Sequence, residues 1–222
     1  MLSDWTAECS ADAPTLIVPW SDAESGAHFV DLRAEPYDIA EISEAERHPA
    51  LGRALRSLNA TRSPFLTAKC DAWSLNSQAD AEALEALRLE LLIDESDVAC
   101  GFASYIDLLW RERSVFASAH QQQDRLDRIM RRAQKLSHEE AALECVLRPA
   151  LLDLNGPLEG FSVTLYVTAV GPEPEIAHRR WELALDDIVA LLRSKELEPQ
   201  RGSATIDAAE AYPPRTRQPG ER

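Results

Sequence analysis

The fold is decided by one stretch, residues 142–170, which reads "ALECVLRPALLDLNGPLEGFSVTLYVTAV". Its two halves, 142–152 and 161–170, alternate apolar with polar residues, a pattern typical of strands that have one buried face. Asn155-Gly156-Pro157 and Gly160 lie between the halves, and this composition favours a chain reversal. The stretch therefore predicts a β-hairpin.

Helical patterns lie on both sides of this hairpin. Apolar residues recur at helical spacing over 114–136, and again from Glu173-Pro174 onward. A run of strand type covers 98–110, so the segment 98–195 reads β-α-β-β-α. That order is most of a split-βαβ, ferredoxin-like unit. We expect the C-terminal part of the chain to be ferredoxin-like.

A further strand and helix precede this unit. Residues 63–75, "SPFLTAKCDAWSL", have strand character, and Ser77 is placed to cap a helix over 79–92. From Phe65 onward the order is β-α-β-α-β-β-α. Helices that alternate with strands before a late hairpin predict an α+β (mixed α/β) fold, with a mixed sheet that carries helices on one face.

The N-terminal region is less regular. Ser43 with Glu46 and Pro49 indicate the start of a helix that carries Leu51, Leu55 and Leu58. Short strands are predicted at 15–20, 28–33 and 36–42. The predicted organisation is a loose N-terminus over 1–14, a single domain over 15–196 and a flexible tail over 197–222, which is rich in Pro, Gly and charge.

Net charge is −15 over 222 residues and is concentrated in the first half. Residues 1–98 carry 19 acidic and 7 basic side chains, a net charge of −12. Such a surface repels phosphate backbones, so no nucleic-acid partner is expected. No window is long and apolar enough to span a bilayer, and the first residues lack the pattern of a secretory signal. A cytoplasmic location without a membrane partner is expected.

No motif for a cofactor or a metal is present. GxGxxG, GxxxxGK[ST], HExxH and GxSxG are all missing. The four cysteines, Cys9, Cys70, Cys100 and Cys145, are far apart and form no CxxC pair, and most lie in apolar runs, where a thiol packs as a small hydrophobe. The five histidines form no close cluster. No cofactor and no metal site are predicted.

The candidate site follows from alternation along the strands, because successive side chains point to opposite faces. Polar and aromatic side chains oppose an apolar face in each predicted strand, and they would share one sheet face if the strands pair in register. The candidate binding residues on this polar sheet face are Lys69, Asp71, Tyr105, Asp107, Arg148 and Tyr166. Thr67 has the same parity as Lys69 and is expected beside it.

Three interpretations of the polar sheet face stay open. It is a solvated face, an interface for a second copy or another protein, or a pocket for a small molecule. We favour a non-catalytic binding or interaction module. The alternative is a small-molecule enzyme or ligand sensor with a pocket around Lys69, Asp71, Tyr105, Asp107 and Arg148. The partners to consider are therefore a homodimer partner, another protein or a small-molecule ligand.

Overall fold

The computed structural model describes residues 1–94, 97–195, 197 and 203–206. Its strands are β1 (Leu2–Ala7), β2 (Leu16–Val18), β3 (Phe65–Leu75), β4 (Cys100–Trp110), β5 (Ala141–Leu152) and β6 (Leu158–Gly171). Its α-helices are α1 (Ser43–Arg47), α2 (Pro49–Leu58), α3 (Ala81–Leu91), α4 (Arg113–Phe116), α5 (Ala119–Ala133) and α6 (Pro174–Leu192). Short 3₁₀ helices cover Pro36–Glu41 and Gln78–Asp80.

The six strands form one mixed sheet in the order β1-β5-β6-β4-β3, with β2 also paired to β5. β1 and β2 run parallel to β5, and the other pairs are antiparallel. The predicted hairpin is β5–β6, which pairs from Ala141 with Ala169 to Leu152 with Leu158. Gly156 at its tip has φ +107, a conformation that glycine adopts without strain. The predicted α+β fold with a mixed sheet is confirmed.

Helices α2, α5 and α6 pack on the apolar face of the sheet. The spacing of Trp181, Leu185 and Ile188 brings them to one side of α6, and all three are fully buried. Trp181 is 4.7 Å from the Phe102 ring of β4, centroid to centroid, and its Nε1 donates to Ser104 Oγ at 2.8 Å. Ser118 caps α5 by accepting from the Gln121 N–H. Amphipathic helices thus cover the sheet face that the alternation along the strands predicted to be apolar.

A mostly buried ion pair lies between α5 and the end of β4. Arg125 of α5 donates from Nη2 to Glu112 Oε2 at 3.0 Å, and the side chains are 16% and 10% exposed. The Arg125 guanidinium also lies 4.8 Å from the centre of the Trp110 ring. The pair connects the end of β4 to the middle of α5.

The N-terminal prediction was wrong for residues 2–7. They form β1, which pairs with β5 from Leu2 with Ala142 to Ala7 with Leu147. Ser3 is buried and donates from Oγ to the Met130 carbonyl. Trp5 Nε1 donates to Asp127 at 2.8 Å. The contacts that hold this strand come from residues more than 120 positions away in sequence, so no local pattern marks it.

Two other predicted elements differ. Residues 36–42 are mainly a 3₁₀ helix, since Pro36 suits a first helical turn and has no N–H for a sheet. Residues 28–33 contain only an isolated bridge between His28 and Ser21. The predicted tail lies mostly outside the described residues. Within its described part Ile206 is 1% exposed, because it packs against the body of the protein.

The C-terminal connectivity matches part of the ferredoxin-like prediction. β4 and β5 run parallel with β6 between them, and α5 lies on the connection from β4 to β5. On the far side of β4 the neighbour is β3, which comes earlier in the chain. Among the described residues no strand follows α6. The ferredoxin-like assignment therefore stays a prediction.

Candidate functional site

The polar sheet face is assembled by the strand register. Asp71 pairs with Tyr105, Tyr105 with Tyr166, Tyr166 with Glu144, and Glu144 with Asp4. These five side chains form one row across β3, β4, β6, β5 and β1. The row, which we call the acidic strip, holds three carboxylates and two half-buried tyrosines whose ring centroids are 6.1 Å apart. The polar faces of the strands do coincide.

A β-bulge in β3 changes the parity on which this site was predicted. The register shifts between Thr67 and Cys70, so Thr67 faces the helices instead of the polar sheet face. Asn59 at the end of α2 donates from Nδ2 to Thr67 Oγ1 at 2.7 Å, and the Thr67 N–H donates to Asn59 Oδ1 at 3.1 Å. Thr67 therefore packs under α2, and the expectation that it lies beside Lys69 on the polar face was wrong.

A second row of polar groups lies beside the acidic strip and is less exposed. Arg148 donates from Nε to Glu8 Oε2 at 2.7 Å. Thr164 Oγ1 donates to Asp107 Oδ1 at 2.6 Å, and Arg148 Nη1 lies 3.4 Å from the same hydroxyl. Asp107 is 8% exposed. These groups satisfy one another, so their first role is to hold the sheet face together.

Burial shifts Asp107 and Tyr105 of this face towards their neutral forms, and it does the same to Cys70 on the helix-covered side of β3. It raises the pKa of Asp107, although the Thr164 hydrogen bond and the charges of Lys69 and Arg148 oppose the shift. It raises the pKa of Tyr105 to about 12, and that of Cys70 to about 12. A phenol and a thiol with such values keep their protons at neutral pH. The thiol and the phenol therefore suit hydrogen bonding better than nucleophilic chemistry.

The substitution Asp107→Asn tests the burial of this carboxyl. An unfolded aspartate titrates near pH ~4, whereas the folded pKa is raised, so wild-type folding binds a proton between the two values. Wild-type stability should therefore fall relative to Asp107→Asn as pH rises through this window, and the difference should level off above it. Urea unfolding from about pH 4 to about pH 8 measures this. A control, the exposed Glu139→Gln, should show no comparable trend, and a wild-type gain with pH would contradict the assignment.

Both ends of the polar sheet face are covered. At one end α3 lies over the sheet, and a Cβ added to Gly101 would come within 3.0 Å of Leu84 Cδ2. At the other end, a Cβ added to Gly160 would come within 2.5 Å of Phe116. Phe116 belongs to a second apolar cluster with Val18, Leu66, Leu109 and Ile206. The acidic strip is thus the open part between two covers.

A concavity forms where the acidic strip meets α3. It has a volume of about 290 Å³, and Asp4, Glu144 and Tyr166 line it together with Glu90 of α3. Its three carboxylates make it acidic, while Leu2 and Leu87 supply apolar wall. Of the six predicted site residues only Tyr166 contributes to this concavity.

A separate cavity of about 410 Å³ contains Lys69. It lies at the bulge of β3, between residues 20–30 and residues 41–44, and we call it the Lys69 cavity. Trp20 closes one side: its Nε1 donates to the Ala68 carbonyl at 2.9 Å, and the Lys69 ammonium lies 4.8 Å from the ring centre. Of the five residues around which a pocket was predicted, Lys69 lines this cavity and the other four do not.

The predicted residues are only partly brought together. Asp71, Tyr105, Asp107, Arg148 and Tyr166 lie on the polar sheet face, while Lys69 turns into its own cavity. Sequence reasoning missed Asp4 and Glu8, because their segment had no strand pattern, and Trp20, because nothing local links it to Lys69. Glu144 has the parity of Arg148 and could have been found from it.

Two histidines also meet although 130 positions separate them. The rings of His48 and His178 are 5.8 Å apart beside Phe102 and Trp181. Burial lowers the pKa of His48, and the nearby His178 and Arg47 lower it further by electrostatic repulsion. Within the described ranges, no group of three His, Cys, Asp or Glu side chains is placed to hold a metal ion. Likewise, none of the described helices is long and apolar enough to cross a bilayer.

The geometry of the polar sheet face has no counterpart from which a role could be transferred. The face carries the acidic strip beside polar groups that are hydrogen-bonded to one another. A concavity lies at one end of the strip, and the Lys69 cavity lies at the edge of the sheet. Comparisons with protein-family models, with curated proteins and with solved structures find no match to this chain.

Proposed function

We propose that this chain is a non-catalytic interaction module whose acidic strip binds a basic segment of a partner protein. The observation that carries the proposal is the row from Asp71 to Asp4, which crosses the sheet and ends in a concavity lined by three carboxylates. An arginine or lysine side chain fits such a concavity by charge, and its aliphatic stem can contact Leu2 and Leu87.

The tyrosines support a protein partner. Tyr105 and Tyr166 are half-buried, and each offers an aromatic ring that carries a hydroxyl group. The Tyr105 hydroxyl keeps its proton at neutral pH, because burial raises its pKa to about 12. Tyrosine is enriched in protein interfaces because one end is apolar and the other is polar. The strip also lies on a rigid sheet, so little conformational entropy is lost when a partner binds.

Charge favours a basic partner over a second copy of this chain. Two copies that meet through the acidic strip would bring Asp4, Glu144 and Asp71 against the same carboxylates, and each chain carries a net charge of −15. Like charges placed together in an interface oppose association. A partner that carries arginine or lysine gains from the same field, which also accelerates encounter.

The chemistry of the site supports binding over catalysis. Burial raises the pKa of the Tyr105 phenol to about 12, and it raises the pKa of Asp107 as well. Asp107 is already hydrogen-bonded to Thr164. A nucleophilic phenol needs a lowered pKa instead. A general acid or base must lie where substrate can reach it, whereas Asp107 is 8% exposed.

Fluorescence anisotropy with labelled decapeptides tests the proposal. A peptide of alternating Arg and Gly should bind with a Kd on the order of 100 µM at low salt, and binding should weaken as salt screens the charges. A matched peptide of alternating Glu and Gly should not bind. Equal binding of both peptides, or of neither, would overturn the proposal.

A charge-reversal pair locates the binding surface. The double variant Asp4→Lys with Glu144→Lys should weaken the binding of the Arg-Gly peptide at least tenfold, because the concavity loses two of its three carboxylates. The matched control, Glu35→Lys with Glu139→Lys, makes the same change in net charge at exposed positions elsewhere. If both pairs lose affinity equally, only net charge matters and the acidic strip is not the binding surface.

A further inference from the structure

We infer that the Lys69 cavity binds a small aliphatic monocarboxylate, with the carboxylate at the Lys69 ammonium and the carbon chain on the apolar floor. The inference is independent of the proposed function, because it concerns a different cavity and the opposite ligand charge. Its volume of about 410 Å³ lies within the range of small-molecule sites.

The charges inside the cavity identify the end of the ligand that Lys69 would hold. Glu41 and Glu44 both line the cavity, and each contacts a side chain other than Lys69. His28 Nε2 lies 3.4 Å from Glu41 Oε2, and Arg47 donates to Glu44 Oε1 at 2.8 Å. Among the described residues, no carboxylate lies within 4.0 Å of the Lys69 ammonium. The Lys69 ammonium therefore forms no ion pair there, although its charge also acts on Asp22 and Asp107.

Lys69 is held in place for this role. The register shift between Thr67 and Cys70 turns it out of the regular strand alternation. Its ammonium lies over the Trp20 ring at 4.8 Å, and the hydrogen bond from Trp20 Nε1 to the Ala68 carbonyl fixes that ring. A cation over an aromatic face keeps much of its capacity to bind an anion from the side. The site is thus preorganised before a ligand arrives.

The rest of the cavity defines the body of the ligand. Val30, Ile42 and Leu55 form its apolar floor. An aliphatic chain would remove this apolar surface from water, which favours binding. Cys70 also lines the cavity, and its thiol keeps its proton because burial raises its pKa to about 12.

Titration with hexanoate tests the inference, with hexanol and hexylamine as controls of the same chain length. Tryptophan fluorescence should change saturably with hexanoate because Trp20 borders the cavity, and this change should disappear in Trp20→Phe. Hexanol and hexylamine should bind at least tenfold more weakly. No saturable hexanoate binding up to about 10 mM, or preferential binding of hexylamine, would overturn the inference.

Variants test whether hexanoate binding depends on the Lys69 ammonium, and ligand-observed NMR measures the affinity. Lys69→Met should weaken the binding of hexanoate at least tenfold, whereas Lys69→Arg should retain most of the affinity. Lys135→Met, at an exposed position, should leave the affinity unchanged. If Lys69→Met does not fold, Val30→Phe provides the test, since it fills the cavity and leaves the ammonium in place. Unchanged affinity in a folded Lys69→Met or Val30→Phe protein would overturn the inference.

The acidic-strip variants distinguish this result from the proposed function. Asp4→Lys with Glu144→Lys should bind hexanoate as the wild type does, because neither residue lines the Lys69 cavity. Lys69→Met should in turn retain binding of the Arg-Gly peptide. Loss of both ligands in either variant would contradict two independent sites.

Discussion

Trp181→Ala is expected to lower the free energy of unfolding by about 3–5 kcal/mol, the usual cost of removing a large aromatic side chain from a packed core. Trp181 is 0% exposed and contacts Phe102 of β4, so the change leaves a cavity between α6 and the sheet. It also removes the hydrogen bond to Ser104 Oγ, which is itself buried. For a chain of this size the melting temperature should fall by about 6–20 °C.

Two further variants divide this loss into its causes. Trp181→Phe keeps most of the apolar contact but leaves the Ser104 hydroxyl without its donor, so it should cost about 1–2 kcal/mol. Trp73→Ala serves as the matched control, since Trp73 is 37% exposed on the edge strand β3 and should cost about 1 kcal/mol or less. Urea unfolding measures all three. A loss below about 1 kcal/mol for Trp181→Ala would contradict the packing of α6 on β4.

Arg125→Met is expected to cost about 3 kcal/mol or more, because it leaves the buried Glu112 carboxylate without its cation. The Arg125–Glu112 distance is 3.0 Å and both side chains are mostly buried. Methionine preserves much of the side-chain volume, so lost packing on Trp110 accounts for the smaller part. Breaking a buried pair is costly even where the intact pair adds little stability.

A matched ion pair on the surface provides the control. Arg53 and Asp186 are also 3.0 Å apart, but their side chains are 52% and 46% exposed. Arg53→Met should therefore cost no more than about 1 kcal/mol, since water solvates the remaining carboxylate. Adding Glu112→Gln to Arg125→Met should restore part of the lost stability. Equal costs for Arg53→Met and Arg125→Met, measured by urea unfolding, would show that Glu112 is well solvated.

The two proposed binding sites use opposite charges and lie in different places. The acidic strip presents carboxylates on an open sheet face, and the Lys69 cavity holds a cation at the sheet edge. A basic protein segment and a small carboxylate would therefore not compete for the same groups. If both are confirmed, the chain would be a binding module that also carries a small ligand next to its interface.

Part of the site could be predicted because strand alternation is local. Tyr105, Asp107, Arg148 and Tyr166 share the polar sheet face as their parity required, and Cys145 and Leu165 face the helices. The same rule failed at Thr67, because a bulge inserts an irregularity that the alternation of neighbouring residues does not reveal. This register shift places Lys69 in a separate cavity beside Trp20, although its charge still acts on Asp107.

Features that depend on residues close together along the chain could be predicted. They are the β5–β6 hairpin, the apolar stripes of α2, α5 and α6, and the alternation of apolar and polar faces along the strands. The tertiary structure alone decided the pairing of β1 with β5, the covers over both ends of the polar face, and the meeting of Lys69 with Trp20. The physical reason is that periodicity places side chains on a face, whereas the free energy of contacts between distant segments decides what lies against that face.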